Sequence, residues 1–177
     1  MAVHGEERRI VTVVFADMVG FTSLAERRDP EQVKHLVDRC FQWMTAEIVT
    51  FGGRVDKIIG DAVLALFGAP VAHEDDAERA VRAALRMQEV IDERTDELGG
   101  VVRLRIGVNT GEVLVGALNA GGDYTAMGDV VNTANRLQTA AQPGEVLVGS
   151  TTHAATERVI PYVERGVVPA KGREEPV

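Results

Sequence analysis

The sequence predicts an α+β domain in which a mostly antiparallel sheet carries helices packed on one face, and three observations point to it. A β-branched apolar run, Arg9 to Met18, precedes any helix; two long stretches then carry apolar residues at helical spacing; between them, two apolar runs flank the dipeptide Gly60-Asp61. With 177 residues, 45% hydrophobic and 26% charged, the chain can bury a core large enough to fold without staples. A single domain over residues 1–177 is expected. The closing "GREEPV" reads as a strand cut short, as in a domain excised from a longer protein.

The first run reads as a buried central strand ending near Asp17, before Gly20. The next helix opens at "DPEQ", with Asp29 as N-cap, Pro30 at the first helical position and Gln32 closing a capping box. Val33, Leu36, Val37, Cys40, Phe41, Met44 and Ile48 form its apolar face, on which Phe41 and Trp43 read as core or dimer contacts, and Gly52-Gly53 stops it. "RVDKII" and "AVLALFG" then read as two antiparallel strands joined by a two-residue loop with Gly60 first, which sets Asp61 on an exposed tip. A second long helix runs from Asp75 to about Leu98. "VRLRIGVNTG" and "EVLVGAL" read as another strand pair, "GDVVNTANRLQTAA" as a third helix with Asp129 as N-cap, and "GEVLVG" and "YVERGVV" as short late strands. Strand, helix, two strands, helix, strand is the ferredoxin-like plan.

Composition excludes several classes. Cys40 is the only cysteine, so no internal disulfide can form, and a reducing cytoplasm is the natural setting. No apolar run approaches the roughly 20 residues needed to span a bilayer, and the N-terminus lacks a signal-peptide pattern, so no membrane insertion is expected. A net charge of −8 with scattered basic residues argues against nucleic-acid binding. An anionic substrate would need metal ions to offset that charge. The four histidines are isolated, "HEDD" at His73 reads as an acidic first helical turn, and no Walker-type loop occurs.

In the ferredoxin-like plan the first strand and the hairpin lie side by side, so Asp17 and Asp61 can approach each other. Two crowded carboxylates repel unless a cation joins them. Hard divalent ions accept carboxylate oxygens, water and substrate phosphates, and paired ions suit phosphoryl chemistry. Read alone, each aspartate is also an ordinary cap or turn residue.

"FADMVGFT" (Phe15 to Thr22), "GGRVDKIIGDAVLALFG" (Gly52 to Gly68), "RIGVNTGEVLVG" (Arg105 to Gly116) and "YTAMGDVVNTANRL" (Tyr124 to Leu137) resemble the successive motifs of class III nucleotidyl cyclase catalytic domains. The likeness runs from about Ile10 to Val177, in the right order and spacing, and implies the palm-like cyclase homology fold. It also implies that Asp17 and Asp61, with the Met18 carbonyl, hold two divalent ions, Mg²⁺ or Mn²⁺. Asn132 would position the ribose, Arg136 would stabilise charge on the α-phosphate, and Arg105 and Lys171 would hold the terminal phosphates. By the same resemblance Asp17, Asp61 and Arg105 act from one protomer and Lys57, Thr125, Asn132, Arg136 and Lys171 from the other. A homodimer with two shared sites is therefore expected.

Base choice falls to Lys57 and Thr125. Adenine offers an acceptor at N1 and a donor at N6, which a lysine and a side-chain oxygen can meet, whereas guanine N1 is a donor that a lysine would oppose. Lys57 thus favours ATP. The resemblance adds that guanylyl cyclases carry Glu at this position and that many adenylyl cyclases carry Asp at the position of Thr125; the Thr is shared by a bacterial subgroup. The expected enzyme is an adenylate cyclase, a phosphorus–oxygen lyase making 3′,5′-cyclic AMP and pyrophosphate from ATP. The alternatives are a relaxed or guanylyl cyclase, or a non-catalytic nucleotide-binding regulatory domain.

Overall fold

A computed structural model describes residues 7–100, 102–117 and 124–166. In chain order its elements are β1 (Glu7–Val19), α1 (Phe21–Ala25), α2 (Pro30–Thr50), β2 (Arg54–Ile59), β3 (Ala62–Phe67), α3 (Asp76–Glu93), α4 (Thr95–Leu98), β4 (Arg103–Ala117), β5 (Tyr124–Met127), α5 (Asp129–Ala140), β6 (Val146–Val148) and α6 (Ser150–Thr156). The strand order is β2-β3-β1-β4-β5, antiparallel throughout, and β6 pairs parallel to β4 along Ile106–Val108. Its first four strands keep the ferredoxin-like arrangement. No helix among the described residues is long and apolar enough to cross a membrane.

The two-residue alternation of β1 decides how the core is divided. Val14, Ala16 and Met18 face the expected helical layer, where α2 contributes Leu36, Cys40, Met44 and Ile48 and α3 contributes Ala80, Ala84, Met87 and Ile91. Each of the valine, leucine, isoleucine and methionine side chains among them, fully buried, adds about 1.5–3 kcal/mol. Val11, Val13 and Phe15 face the opposite way, onto Leu64, Leu66, Val113 and α5, whose Val130 and Ala134 complete a second cluster. The third helix therefore covers part of the face that the plan alone would leave open.

That placement explains a difference from the sequence reading. The residues expected to form two strands around Gly111 form one continuous strand, β4, and Gly111 is not at a turn. A Cβ at Gly111 would lie 2.6 Å from Cγ2 of Val130, and one at Gly107 would lie 2.2 Å from the Ala134 carbonyl oxygen. These glycines give α5 room to rest on the sheet.

Other differences are local. Asp29 and Pro30 take the expected places, but no side-chain cap hydrogen bond forms at Asp29, and Gly128 rather than Asp129 occupies the N-cap position of α5. The second long helix breaks at Arg94, between α3 and α4, where the Arg94 guanidinium stacks 4.5 Å from the Trp43 ring centroid. Trp43 is partly buried against the core, as expected. Residues 161–166 form no strand; the Tyr162 hydroxyl instead lies 2.6 Å from Thr156 Oγ1, and its ring packs edge-on against His153 of α6. The rest of the expected late strand, and Lys171, lie outside the described residues.

Candidate active site

The end of β1 carries the first candidate ligand. Asp17 pairs in register with Ala62 of β3 on one side and Arg105 of β4 on the other. Ile59 and Ala62 close the hairpin as a pair, so its turn is Gly60-Asp61, and Gly60 takes φ +59, the left-handed region a side chain disfavours. Asp61 thus sits one residue from the partner of Asp17. The Met18 amide donates to the Asp61 carbonyl oxygen at 3.3 Å, extending the β1–β3 ladder into the turn.

The electrostatics follow from that closeness. Burial, then the Asp61 carboxylate, push the Asp17 carboxyl above its ordinary range; a hydrogen bond from the Met18 amide and the charge of Arg105 pull the other way. Arg105 is half-buried, and its Nε is buried with no hydrogen-bond partner. A buried N–H without an acceptor is expensive in a finished structure, so this guanidinium suits an anion.

The donor set also discriminates among cations. No group of three or more His, Cys, Asp or Glu among the described residues could hold a metal. A cation here would depend on two carboxylates, a backbone carbonyl, water and substrate oxygens, which Mg²⁺ and Mn²⁺ accept and a structural zinc site does not. The residues present fit a hard divalent ion.

Sequence reasoning missed one neighbour of Asp17. Gln138 of α5, 6% exposed, donates from Nε2 to Asp17 Oδ2 at 3.4 Å. Its signal was a large polar residue on the buried stripe of α5, alongside Val130, Thr133, Ala134 and Leu137. The contact also orients the helix. At 100° per residue, Arg136 projects about 200° around the helix from Gln138, and Asn132 about 240° and roughly one and two-thirds turns away. Asn132 is exposed and Arg136 half-buried, on the side of α5 turned from Asp17.

Lys57 lies on β2 just after a bulge, since Val55 pairs with Ala65 and Lys57 with Leu64, leaving Asp56 as the extra residue. The Asp56 side chain is 1% exposed, 3.3 Å from Arg54 Nη2 and 3.8 Å from Lys57 Nζ, so the bulge seats a carboxylate between two cations. The sequence alternation concealed it. Thr125 lies on β5 opposite Gly116, and only its backbone is described. Although β2 and β5 end the strand order, their Cα atoms come within 8 Å of each other, so the sheet curls the strands of Lys57 and Thr125 together.

Comparison with known proteins bears on the family and the fold. Adenylate cyclase 1 of Rhizobium meliloti (strain 1021) is 33% identical over 174 residues, 94% of this chain and 26% of that protein. The chain spans about a quarter to a third of the length of the curated relatives it matches. Among solved structures, the adenylyl cyclase CyaB from P. aeruginosa has a TM-score of 0.88 at 32% identity, with 97% of this chain and 92% of that one covered. The guanylyl cyclase Cya2 has a TM-score of 0.86 at 34% identity, with 97% and 90% covered. Residues 3–177 match the family described as the adenylate and guanylate cyclase catalytic domain, and the chain belongs to that class III cyclase family.

Proposed function

We propose that this chain is a single catalytic domain that converts ATP to 3′,5′-cyclic AMP and pyrophosphate in two sites shared by a homodimer. The observation that carries the reading is the convergence of Asp17, Asp61 and the unpartnered Nε of Arg105 at one end of β1. Two divalent ions held by Asp17, Asp61 and the Met18 carbonyl would activate the ribose 3′-oxygen and neutralise the triphosphate. Arg105 takes charge on the terminal phosphates, with Lys171 of the other protomer assigned the same task. Asn132 fixes the ribose so that its 3′-oxygen faces the α-phosphorus in line, and Arg136 stabilises the charge that grows there. Lys57, steadied by Asp56, donates to adenine N1, and Thr125 accepts from or donates to the neighbouring edge.

The sharing of sites is supported by α5. Its Gln138 touches Asp17 while Asn132 and Arg136 project away, so the two halves of the machinery within one chain face different directions. The cytoplasm, where ATP is abundant, is the compartment this chemistry fits.

A second reading, relaxed base choice or GTP use, is favoured by the equal likeness to the guanylyl cyclase Cya2 and by Thr125. The deciding experiment measures cyclic product from ATP and from GTP, with Mn²⁺ and then Mg²⁺, over a range of protein concentrations. Cyclic AMP with a specific rate that rises with protein concentration is expected. Cyclic GMP in equal or greater yield would favour the second reading, and tight nucleotide binding with no cyclic product would make the domain a regulatory module.

A further inference from the structure

Gln138 is hard to explain as packing. It occupies a core-facing position of α5, and burying a side-chain amide there is unfavourable unless the amide is hydrogen-bonded. A methionine or leucine would fill the same space without that penalty. Its one side-chain hydrogen bond among the described residues is to Asp17, 121 positions away in the chain.

We propose that Gln138 is a positioning residue for Asp17, holding its carboxylate in the orientation that receives a divalent cation. The inference rests on reading Asp17 as a metal ligand. An amide is well suited to this task. It satisfies one of about four lone-pair sites on the carboxylate and leaves the others for the cation. Being neutral, it fixes the carboxylate without competing with the metal for charge, as a lysine or arginine in its place would. Arg105, on the other flank of Asp17, carries the charge, so orientation and charge compensation come from different residues. Partners that orient metal ligands in this way typically contribute tenfold or more to affinity.

The anchoring element adds a second consequence. Gln138 sits on the same rigid helix as Asn132 and Arg136, and α5 rests directly on β4 at Gly107 and Gly111. The side chain of Asp17 is therefore registered against the helix that presents the ribose- and phosphate-directed residues to the other site.

The test is an electron paramagnetic resonance titration of Mn²⁺ into the purified chain, in the presence of 3′-deoxy-ATP, which lacks the attacking hydroxyl. Wild type, Gln138→Met and Asp17→Ala are compared, and the Mn²⁺ dependence of the rate with ATP is measured in parallel. For Gln138→Met the Mn²⁺ dissociation constant is expected to rise about tenfold, with a matching rise in the Mn²⁺ concentration giving half-maximal rate and a far smaller change in rate at saturating Mn²⁺. Unchanged Mn²⁺ affinity in Gln138→Met, with binding lost in Asp17→Ala, would overturn the inference while leaving the metal site standing. No Mn²⁺ binding by wild type would overturn both. Should Gln138→Met fail to fold, Gln138→Asn, which keeps the amide but draws it back by one methylene beyond bonding reach, gives the same comparison.

Discussion

The Met18 amide and the Asp61 carbonyl oxygen meet at 3.3 Å, and this bond fastens the end of the central strand to the turn of a hairpin more than 40 residues further on. It fixes the peptide planes on both sides of the carboxylate pair. The geometry of the pair thus depends on the hairpin turn as much as on the aspartates.

Replacing Gly60 tests that dependence. Valine at φ +59 would strain the turn, and Gly60→Val should lose about 1–3 kcal/mol of stability in urea unfolding. Because the strain lies next to Asp61, Mn²⁺ affinity should fall as well. A destabilised protein with unaltered Mn²⁺ affinity would show that the turn and the carboxylate move independently.

Asp17→Asn should separate stability from activity. The raised pKa means that ionised Asp17 is disfavoured in the folded, metal-free chain, so the carboxylate subtracts stability at neutral pH. That penalty fades as pH falls through the raised folded value toward the ordinary 3.8. Metal-free Asp17→Asn should accordingly have a higher urea midpoint than wild type at pH 7, with the gap closing in acid. Its cyclase rate should drop about a thousandfold, the loss of several kcal/mol of transition-state stabilisation. A lower midpoint at pH 7 would show that the carboxylate is already compensated without metal.

Mixing two inactive variants should restore activity. If Asp17 and Arg136 act from different protomers, Asp17→Ala and Arg136→Ala are each inactive, while a mixed dimer has one intact site of two. Random mixing makes half the dimers mixed, so about a quarter of wild-type activity should return on combining equal amounts. No recovery, with dimers confirmed by mass, would mean that both residues act from the same protomer.

Cys40 should report global unfolding. It is fully buried, and burial pushes its thiol from an ordinary 9.0 up to about 12. Native protein should resist maleimide at pH 8 and label only as fast as it unfolds, as mass spectrometry would read. Since the fold favours the protonated thiol, this residue's contribution is intact below pH 9 and is lost as pH rises from there toward 12. Rapid labelling in native conditions would mean that α2 opens locally.

What could be read from the sequence was local. The β-branched run of β1, the helical spacing of α2 and the Gly60-Asp61 turn are signals contained within a few residues, and they suffice to bring Asp17 beside Asp61. What was hidden depends on distant partners. Gly111 looks like a turn residue until α5 is known to lie over it, and Asp56 looks like a regular strand residue until its partner strand shows the bulge. Gln138 has no meaning without Asp17, 121 residues before it. The short α6, in "STTHAAT", has too few large apolar residues to show a periodicity.

The bare seat of α5 on Gly107 and Gly111 has a consequence for how the domain tolerates variation. At Gly107 the helix backbone itself lies where a Cβ would go, so nothing there can repack around an added methyl group, whereas at Gly111 the added group would meet the Val130 side chain, which would have to give way. In a library of all single substitutions screened for cyclic nucleotide production, Gly107 would be as intolerant as the aspartates and Gly111 less so, although neither carries an atom that could reach the substrate.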